Sequence, residues 1–140
     1  MRYAVFFFRG DRRVVKTNNP KITLHAEEFF GNFHVYVVYN SKPIAVITFQ
    51  GNISRSRRFK LFESHAFVAK AWRGKGLTKM VYTWFLNAGH IIITKSHTKG
   101  AAHVWDSLAN RFRERWFDES KDTFVDHPKD TKNLYRVLMK

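Results

Sequence analysis

The chain has 140 residues, 44% of them hydrophobic, and carries 25 lysine and arginine residues against 11 aspartate and glutamate residues, a formal net charge of +14. This length predicts one folded domain over residues 1–140, and this charge favours a polyanionic partner such as an acidic protein or a nucleic acid. The absence of cysteine excludes a disulfide framework, a thiolate zinc site and a cysteine nucleophile.

No stretch reaches the roughly 18 apolar residues that a membrane helix needs. The apolar segment Met1–Phe8 is brief, and Arg9, Arg12 and Arg13 follow it rather than precede it, so it does not resemble a signal peptide. We therefore expect a cytoplasmic protein without membrane contact. We also expect a monomer or a homodimer. No histidine is spaced from a carboxylate as in a metal site, and no bound metal is expected.

The first quarter of the chain predicts one strand and a short helix. Tyr3–Phe8 has strand composition, and Gly10 marks a turn that leads Arg12–Lys16 back as an extension of it. After the break at residues 18–20, Ile22–Phe30 is interpreted as a short helix with Thr23 as its N-cap.

A hairpin and a long strand are predicted next. Phe33–Tyr39 and Ile44–Phe49 are apolar runs that flank the turn residues 40–43, a pattern typical of two antiparallel strands. In residues 59–68 the odd-numbered side chains form one set and the even-numbered side chains another, and this period of two indicates a strand.

The second half predicts two amphipathic helices among short strands. Apolar residues from Leu77 to Ala88 fall at helical spacing, and Gly89 is placed to end that helix. Residues 91–94 predict a short buried strand, and residues 101–112 a second helix whose apolar side lies opposite Lys99, His103 and Asp106. Residues 124–125 and 134–139 are interpreted as a closing hairpin.

Between the long strand and the first helix lies a turn of glycines and cations. Gly74 and Gly76 leave backbone N–H groups uncovered, and the start of the helix directs partial positive charge toward the same place. Arg73 and Lys75 add cationic side chains there. The turn therefore predicts a binding site for a phosphate-like anion.

In its spacing, the run Val68-x-x-x-x-Arg73-Gly74-x-Gly76-Leu77 resembles the acyl-CoA-binding motif of the GNAT (general control-related N-acetyltransferase) superfamily. In that family the loop amides hold the coenzyme pyrophosphate, and backbone groups at the end of the preceding strand bond the pantetheine arm. The resemblance implies acetyl-CoA as a substrate, bound by Val68, Arg73, Gly74, Lys75, Gly76 and Leu77.

The resemblance covers roughly residues 33 to 140 and implies an α+β fold. We expect a GNAT-like mixed, mostly antiparallel sheet flanked by helices and split near the end of the motif strand to receive acyl-CoA. The usual two helices between the first strands have little room in this chain, so the N-terminal helical region is expected to be shortened.

Two positions depart from the family pattern. Ala71 occupies the first motif position, and Trp105 occupies the place where many members carry a tyrosine that protonates the departing coenzyme thiolate. Indole N–H donates hydrogen bonds but has no useful acidity, so Trp105 cannot act as a general acid. Three alternatives follow from this. Ser96 or Tyr82 assists the departing thiolate, the thiolate leaves unassisted, or the domain transfers no acetyl group.

Glu63 and His65 are the candidate catalytic residues. They lie two apart on the motif strand, so their side chains share a face, and either accepts a proton from an attacking amine. The alternative interpretation is that both only mark the solvated face of this strand.

Three classes of function follow. The first is an N-acetyltransferase that modifies an amine of a protein or small molecule. The second is a catalytically inactive GNAT-like protein that binds a host protein or nucleic acid through its basic surface. The third is a nucleic-acid-binding module that uses basic segments such as residues 111–116 for phosphate contacts. The small, basic form also resembles GNAT-like proteins of tailed bacteriophages.

Overall fold

The structure is a computed structural model and describes residues 12–53, 58–95 and 99–140. The predicted strand Tyr3–Phe8 and the candidate Ser96 lie outside the described residues. Within the described residues the chain forms nine strands and two helices. In chain order these are β1 (Arg12–Lys16), β2 (Ile22–Phe29), β3 (Asn32–Tyr39), β4 (Lys42–Ile53), β5 (Lys60–Val68), α1 (Leu77–Asn87), β6 (Ile91–Thr94), α2 (Lys99–Ala109), β7 (Arg113–Asp118), β8 (Thr123–Val125) and β9 (Tyr135–Met139).

The nine strands follow the order β1-β2-β3-β4-β5-β6-β9-β7-β8 in one sheet. The pairs β1–β2, β2–β3, β3–β4, β6–β9, β7–β8 and β7–β9 are antiparallel, and β5 runs parallel to β6. The prediction of an α+β fold with a mixed, mostly antiparallel sheet is therefore confirmed.

The described residues divide into two compact units. The first contains residues 12–50 and 65–81, and the second contains 51–53, 58–64, 82–95 and 99–140. Strands β4 and β5 and helix α1 each contribute residues to both units.

The predicted helix Ile22–Phe30 is wrong, because these residues form β2. Ile22, Leu24 and Ala26 are buried and alternate with half-buried residues, so the periodicity of this segment is two rather than 3.6. Thr23 caps no helix; its hydroxyl lies 3.1 Å from Nε2 of His25 on the same strand. The N-terminal region is thus shortened further than expected: its described residues from 12 to 53 contain strands and no helix.

The predicted β3–β4 hairpin is confirmed. Its strands pair from Tyr39 with Lys42 outward, so Asn40 and Ser41 form the two-residue turn. Both have positive φ angles, 48° and 65°, which is the conformation that matches the twist of the flanking strands. The register shifts by one residue after Val37, and pairing then continues through the buried part of both strands.

Helix α1 ends as the glycine at its C-terminus predicts. Gly89 has φ +95°, and its N–H donates to the carbonyl of Leu86 at 2.9 Å. His90 N–H then donates to the carbonyl of Phe85 at 3.4 Å. These two bonds satisfy carbonyl groups of the last turn that the helix itself leaves without a partner.

The second unit corrects two predictions. The second helix, predicted over residues 101–112, ends earlier, at Ala109, and Arg113–Asp118 form β7, a strand that was not predicted. The closing hairpin is also wrong: β8 pairs with β7, and β9 pairs with β7 and β6 rather than with β8. Because β9 lies between β6 and β7, Val137 and Leu138 are completely buried. This burial of apolar surface is favourable, and pairing with the three-residue strand β8 does not provide it.

Arg136 connects α2 with β7. Its side chain is 15% exposed and donates to Asp106 of α2 at 2.9 Å and to Glu114 of β7 at 2.5 Å. Its guanidinium carbon also lies 5.7 Å from the centre of the Trp105 ring. One cation therefore links two carboxylates and a buried aromatic ring.

We expect Arg136→Met to lower the free energy of unfolding by about 1–2 kcal/mol, because two charge-assisted hydrogen bonds are lost from partly exposed carboxylates. Arg113→Met is the matched control: Arg113 is 58% exposed and lies 3.7 Å from Asp126, and such pairs contribute about 0–1 kcal/mol. Urea unfolding of both variants measures the difference. Equal losses would show that the Arg136 contacts do not stabilise the fold.

Candidate functional site

The glycine loop lies in the first unit between β5 and α1, as predicted. After Val68 ends β5, Lys70–Trp72 form a single 3-10 turn. The N–H of Ala69 donates to the carbonyl of Ile44 in β4 at 2.9 Å, and the Trp72 ring packs 4.8 Å from that of Tyr39. These contacts fix the base of the loop to the β3–β4 hairpin.

The two glycines give the loop its conformation. Gly74 and Gly76 have φ angles of +75° and +79°, a region that side chains with a Cβ rarely adopt. A Cβ built on either one meets no atom within 4 Å, so the space beside both is open. Alternating left-handed residues direct successive N–H groups toward one concave side of the backbone, which is a recurrent anion-binding arrangement.

The N–H groups of residues 74–78 make no hydrogen bond with any described residue. Helical bonding begins only at Met80, whose N–H donates to the carbonyl of Gly76 at 3.0 Å. Leu77, the first residue of α1, is 5% exposed and anchors this end of the helix in the core. Five consecutive donors therefore surround the start of a firmly packed helix.

Cationic side chains surround these donors. Lys70, Arg73 and Lys75 are exposed within six residues of one another. Arg73 Nε donates to the carbonyl of Val68 at 3.2 Å, which ties the loop to the last residue of β5. Val68 and Arg73 thus contact each other. The Val68 carbonyl lies at the strand end where a pantetheine arm is expected to bind, and it already accepts the hydrogen bond from Arg73.

Glu63 and His65 both lie on β5, where Glu63 is half-buried and His65 is exposed. In the second unit, Glu63 has a tyrosine nearby: burial raises the pKa of Tyr135, its hydrogen bond to Glu119 raises it further, and the charge of Glu63 adds to the effect. The Lys95 ammonium lies 5.5 Å from the centre of the Tyr135 ring. Neither Tyr135 nor Glu119 was predicted from the sequence, since Tyr135 begins β9, whose partners were mispredicted, and Glu119 follows β7, which was not predicted as a strand.

Tyr82 is buried in the second unit, and its hydroxyl is hydrogen-bonded to Oγ of Ser64 on β5. The indole N–H of Trp105 donates to the same hydroxyl. Burial raises the pKa of Tyr82, while its two hydrogen-bond partners lower it by less. Tyr82 was a candidate from the sequence and Ser64 was not, although the period of two places Ser64 on the same face of β5 as Phe62.

Among the described residues, no three histidine, aspartate or glutamate side chains converge as metal ligands. No helix in the described ranges is long and apolar enough to cross a membrane.

No model of a known protein family matches the chain, and no curated protein sequence matches it. Among solved structures, the fold resembles an acetyltransferase of the GNAT family from Streptococcus pneumoniae, with a TM-score of 0.47 and 11% identity over 78% of this chain and 67% of that one. It also resembles a protein named as a candidate phosphinothricin N-acetyltransferase, with a TM-score of 0.41 and 16% identity over 88% of this chain and 72% of that one. Both TM-scores lie below 0.5, so any assignment of function depends on this chain's own residues.

Proposed function

We propose that the protein is an N-acetyltransferase that transfers an acetyl group from acetyl-CoA to an amine of a protein or a small molecule. One observation carries this proposal: the five consecutive N–H groups of residues 74–78 have no partner among the described residues, and they lie at the start of α1 beside two left-handed glycines. Such donors are suited to the oxygens of a pyrophosphate.

In this proposal the pyrophosphate of acetyl-CoA lies against the amides of Gly74, Lys75 and Gly76. Leu77 holds the start of α1 in place through its burial. Lys75 and Arg73 add positive charge to the helix dipole, and Arg73 also keeps the strand end and loop together. Val68 marks the end of the strand along which the pantetheine arm is expected to run.

The chemistry requires few groups. The amine nitrogen forms a bond to the thioester carbonyl carbon, and the C–S bond then breaks with its electron pair leaving on sulfur. Glu63 is the preferred base for the proton that the nitrogen loses, with His65 as the alternative. Glu63 returns that proton to solvent, and the thiolate takes one from solvent. Trp105 is assigned no proton transfer because indole is not an acid at neutral pH.

The acceptor amine is expected in acidic surroundings, because the net charge of +14 attracts anionic molecules. The second candidate function is binding of nucleic acid or a host protein without turnover. One observation favours it: Phe67 is 68% exposed on β5, and the cations of the loop follow it in sequence. Exposed aromatic rings beside cations bind single-stranded nucleic acid by stacking and charge.

A bacteriophage origin stays a prediction.

Calorimetric titration with acetyl-CoA at moderate salt, after removal of co-purified nucleotide, tests the proposal. We expect saturable binding of one acetyl-CoA per chain. A parallel titration with single-stranded oligonucleotide at rising salt is the comparison, since phosphate-driven binding weakens steeply with salt. Absence of acetyl-CoA binding together with salt-dependent oligonucleotide binding would replace the enzyme by the second candidate.

A further inference from the structure

The last carbonyl of β5 accepts a hydrogen bond from the loop that follows it. Arg73 Nε donates to the carbonyl oxygen of Val68 at 3.2 Å. The direction of this bond is fixed, because a guanidinium has only donors and a carbonyl oxygen only accepts. Both residues belong to the first unit, as does the rest of the loop up to Leu77. The bond therefore spans the single turn between the strand and the glycines, within one unit.

The main chain of this turn is held by bonds of its own. Ala69 N–H donates to the carbonyl of Ile44 at 2.9 Å, and Trp72 N–H donates to the carbonyl of Ala69 at 2.8 Å. Arg73 N–H donates to the carbonyl of Lys70 at 3.4 Å. The Arg73 side chain is exposed, and an exposed hydrogen bond of this kind adds little net stability. The side chain is thus able to change its partner while the backbone of the turn stays in place.

A bound pyrophosphate is a better acceptor for Arg73 than a peptide carbonyl. Arg73 directly precedes Gly74, the first of the five N–H donors that make no hydrogen bond with any described residue. A phosphate group held by these donors carries a full negative charge next to the guanidinium. Guanidinium and phosphate form charge-assisted, often bidentate hydrogen bonds, whereas the carbonyl of Val68 is neutral and accepts a single bond from Nε.

We propose that Arg73 exchanges its hydrogen-bond partner when acetyl-CoA binds, and that this exchange couples the two halves of the ligand. This inference rests on the proposed function. Before binding, Arg73 occupies the Val68 carbonyl and holds the strand end and loop together. The pyrophosphate then takes the guanidinium, and the released carbonyl accepts an amide N–H of the pantetheine arm. That arm carries two amide groups, and such groups pair with the main chain of a strand as a further strand does.

The exchange makes binding of the two halves cooperative. The phosphate half removes a competitor from the Val68 carbonyl, so it raises the affinity for the pantetheine half. By linkage the pantetheine half raises the affinity for the phosphate half by the same factor. Arg73 is a positioning residue in this scheme, because it sets when the strand end becomes available to the ligand.

Two fragments of the ligand test the coupling: 3′-phospho-ADP, which carries the pyrophosphate, and pantetheine, which carries the amides. Pantetheine is titrated into the protein with and without saturating 3′-phospho-ADP, followed by nuclear magnetic resonance. In the wild type we expect the nucleotide to raise pantetheine affinity by roughly 3- to 10-fold, the range that one net hydrogen bond gives. In Arg73→Met we expect the higher affinity with or without the nucleotide, and weaker binding of the nucleotide itself.

Lys75→Met is the matched control, because it removes another exposed cation of the same loop while the bond from Arg73 to Val68 is kept. This variant is expected to bind 3′-phospho-ADP more weakly and to retain the coupling. Equal coupling in Arg73→Met and in the wild type would assign the effect to another group and overturn the inference.

The Val68 carbonyl can also be observed directly. Val68-Ala69 is the only Val-Ala pair in the sequence, so valine labelled with carbon-13 at the carbonyl and alanine labelled with nitrogen-15 give a single correlation for this peptide bond. Loss of a hydrogen bond moves a carbonyl carbon signal to lower frequency. We expect 3′-phospho-ADP to cause this shift in the wild type and pantetheine to reverse it. In Arg73→Met the signal is expected at the low frequency from the start.

The outcomes separate this inference from the proposed function. If 3′-phospho-ADP binds to the wild type and the Val68 signal stays in place at saturation, Arg73 keeps its partner and the inference alone is overturned. If the wild type binds neither acetyl-CoA nor 3′-phospho-ADP, the proposed function fails and the inference fails with it.

Discussion

Gly74→Val is expected to abolish measurable binding of acetyl-CoA. A side chain with a Cβ leaves the region near φ +75°, which turns the neighbouring amides away from their common direction, and the valine side chain enters the open space beside the loop. Losing two hydrogen bonds to a charged phosphate at about 1.5–3 kcal/mol each weakens binding by roughly 100-fold or more. Calorimetric titration with acetyl-CoA measures the loss.

Gly89→Val separates this effect from a general loss of stability. Gly89 has φ +95° and equally open space around a Cβ, but it ends α1 instead of preceding it. Both variants carry similar backbone strain, about 1–2 kcal/mol, so their midpoints of urea unfolding are expected to fall together. Only Gly74→Val is expected to lose acetyl-CoA. Wild-type affinity in Gly74→Val would exclude the loop as the phosphate site.

Glu63→Gln is expected to lower turnover by roughly 100- to 10,000-fold, the usual contribution of a general base, and to leave acetyl-CoA affinity unchanged. The amide keeps the shape of the carboxylate but cannot accept the amine proton. Release of the CoA thiol from acetyl-CoA is measured with a chromogenic thiol reagent. The acceptor is a peptide with one lysine flanked by aspartates, which matches the acidic surroundings expected for the acceptor amine.

Two variants show whether the loss belongs to Glu63. Glu28→Gln removes an equal charge from an exposed position on β2 and is expected to retain full turnover. His65→Asn tests the alternative base two residues away on the same strand. Full activity in Glu63→Gln combined with a large loss in His65→Asn would transfer the role of base to His65.

The turns explain where prediction from sequence succeeded and where it failed. Asn40-Ser41 is a favoured hairpin turn, and the β3–β4 hairpin was predicted. The β2–β3 hairpin turns at Phe30-Gly31, and Phe30 has φ +50° although phenylalanine rarely adopts that conformation. Because phenylalanine occupies the first position of this turn in place of the usual Asn or Asp, the turn was missed, and residues 22–30 were interpreted as a helix.

Strand partners were the other failure. A short strand such as β8 carries no sequence information about which neighbour it joins, because any strand offers the same backbone donors and acceptors. Burial of Val137 and Leu138 decided that β9 lies between β6 and β7. The surroundings of Tyr135, whose pKa the charge of Glu63 helps to raise, followed from that choice.

The sequence by itself determined the features that depend on local chemistry. Glycines at 74 and 76, cations beside them, the alternation of residues 59–68 and the helical spacing after Leu77 specify a strand, an amide-rich loop and a helix, since backbone conformation follows from neighbouring residues. Only the tertiary structure decided that Ser64, Tyr82 and Trp105 form one chain of hydrogen bonds. Hydrogen bonds between residues 18 and more positions apart depend on how elements pack, and packing is set by the burial of the whole core.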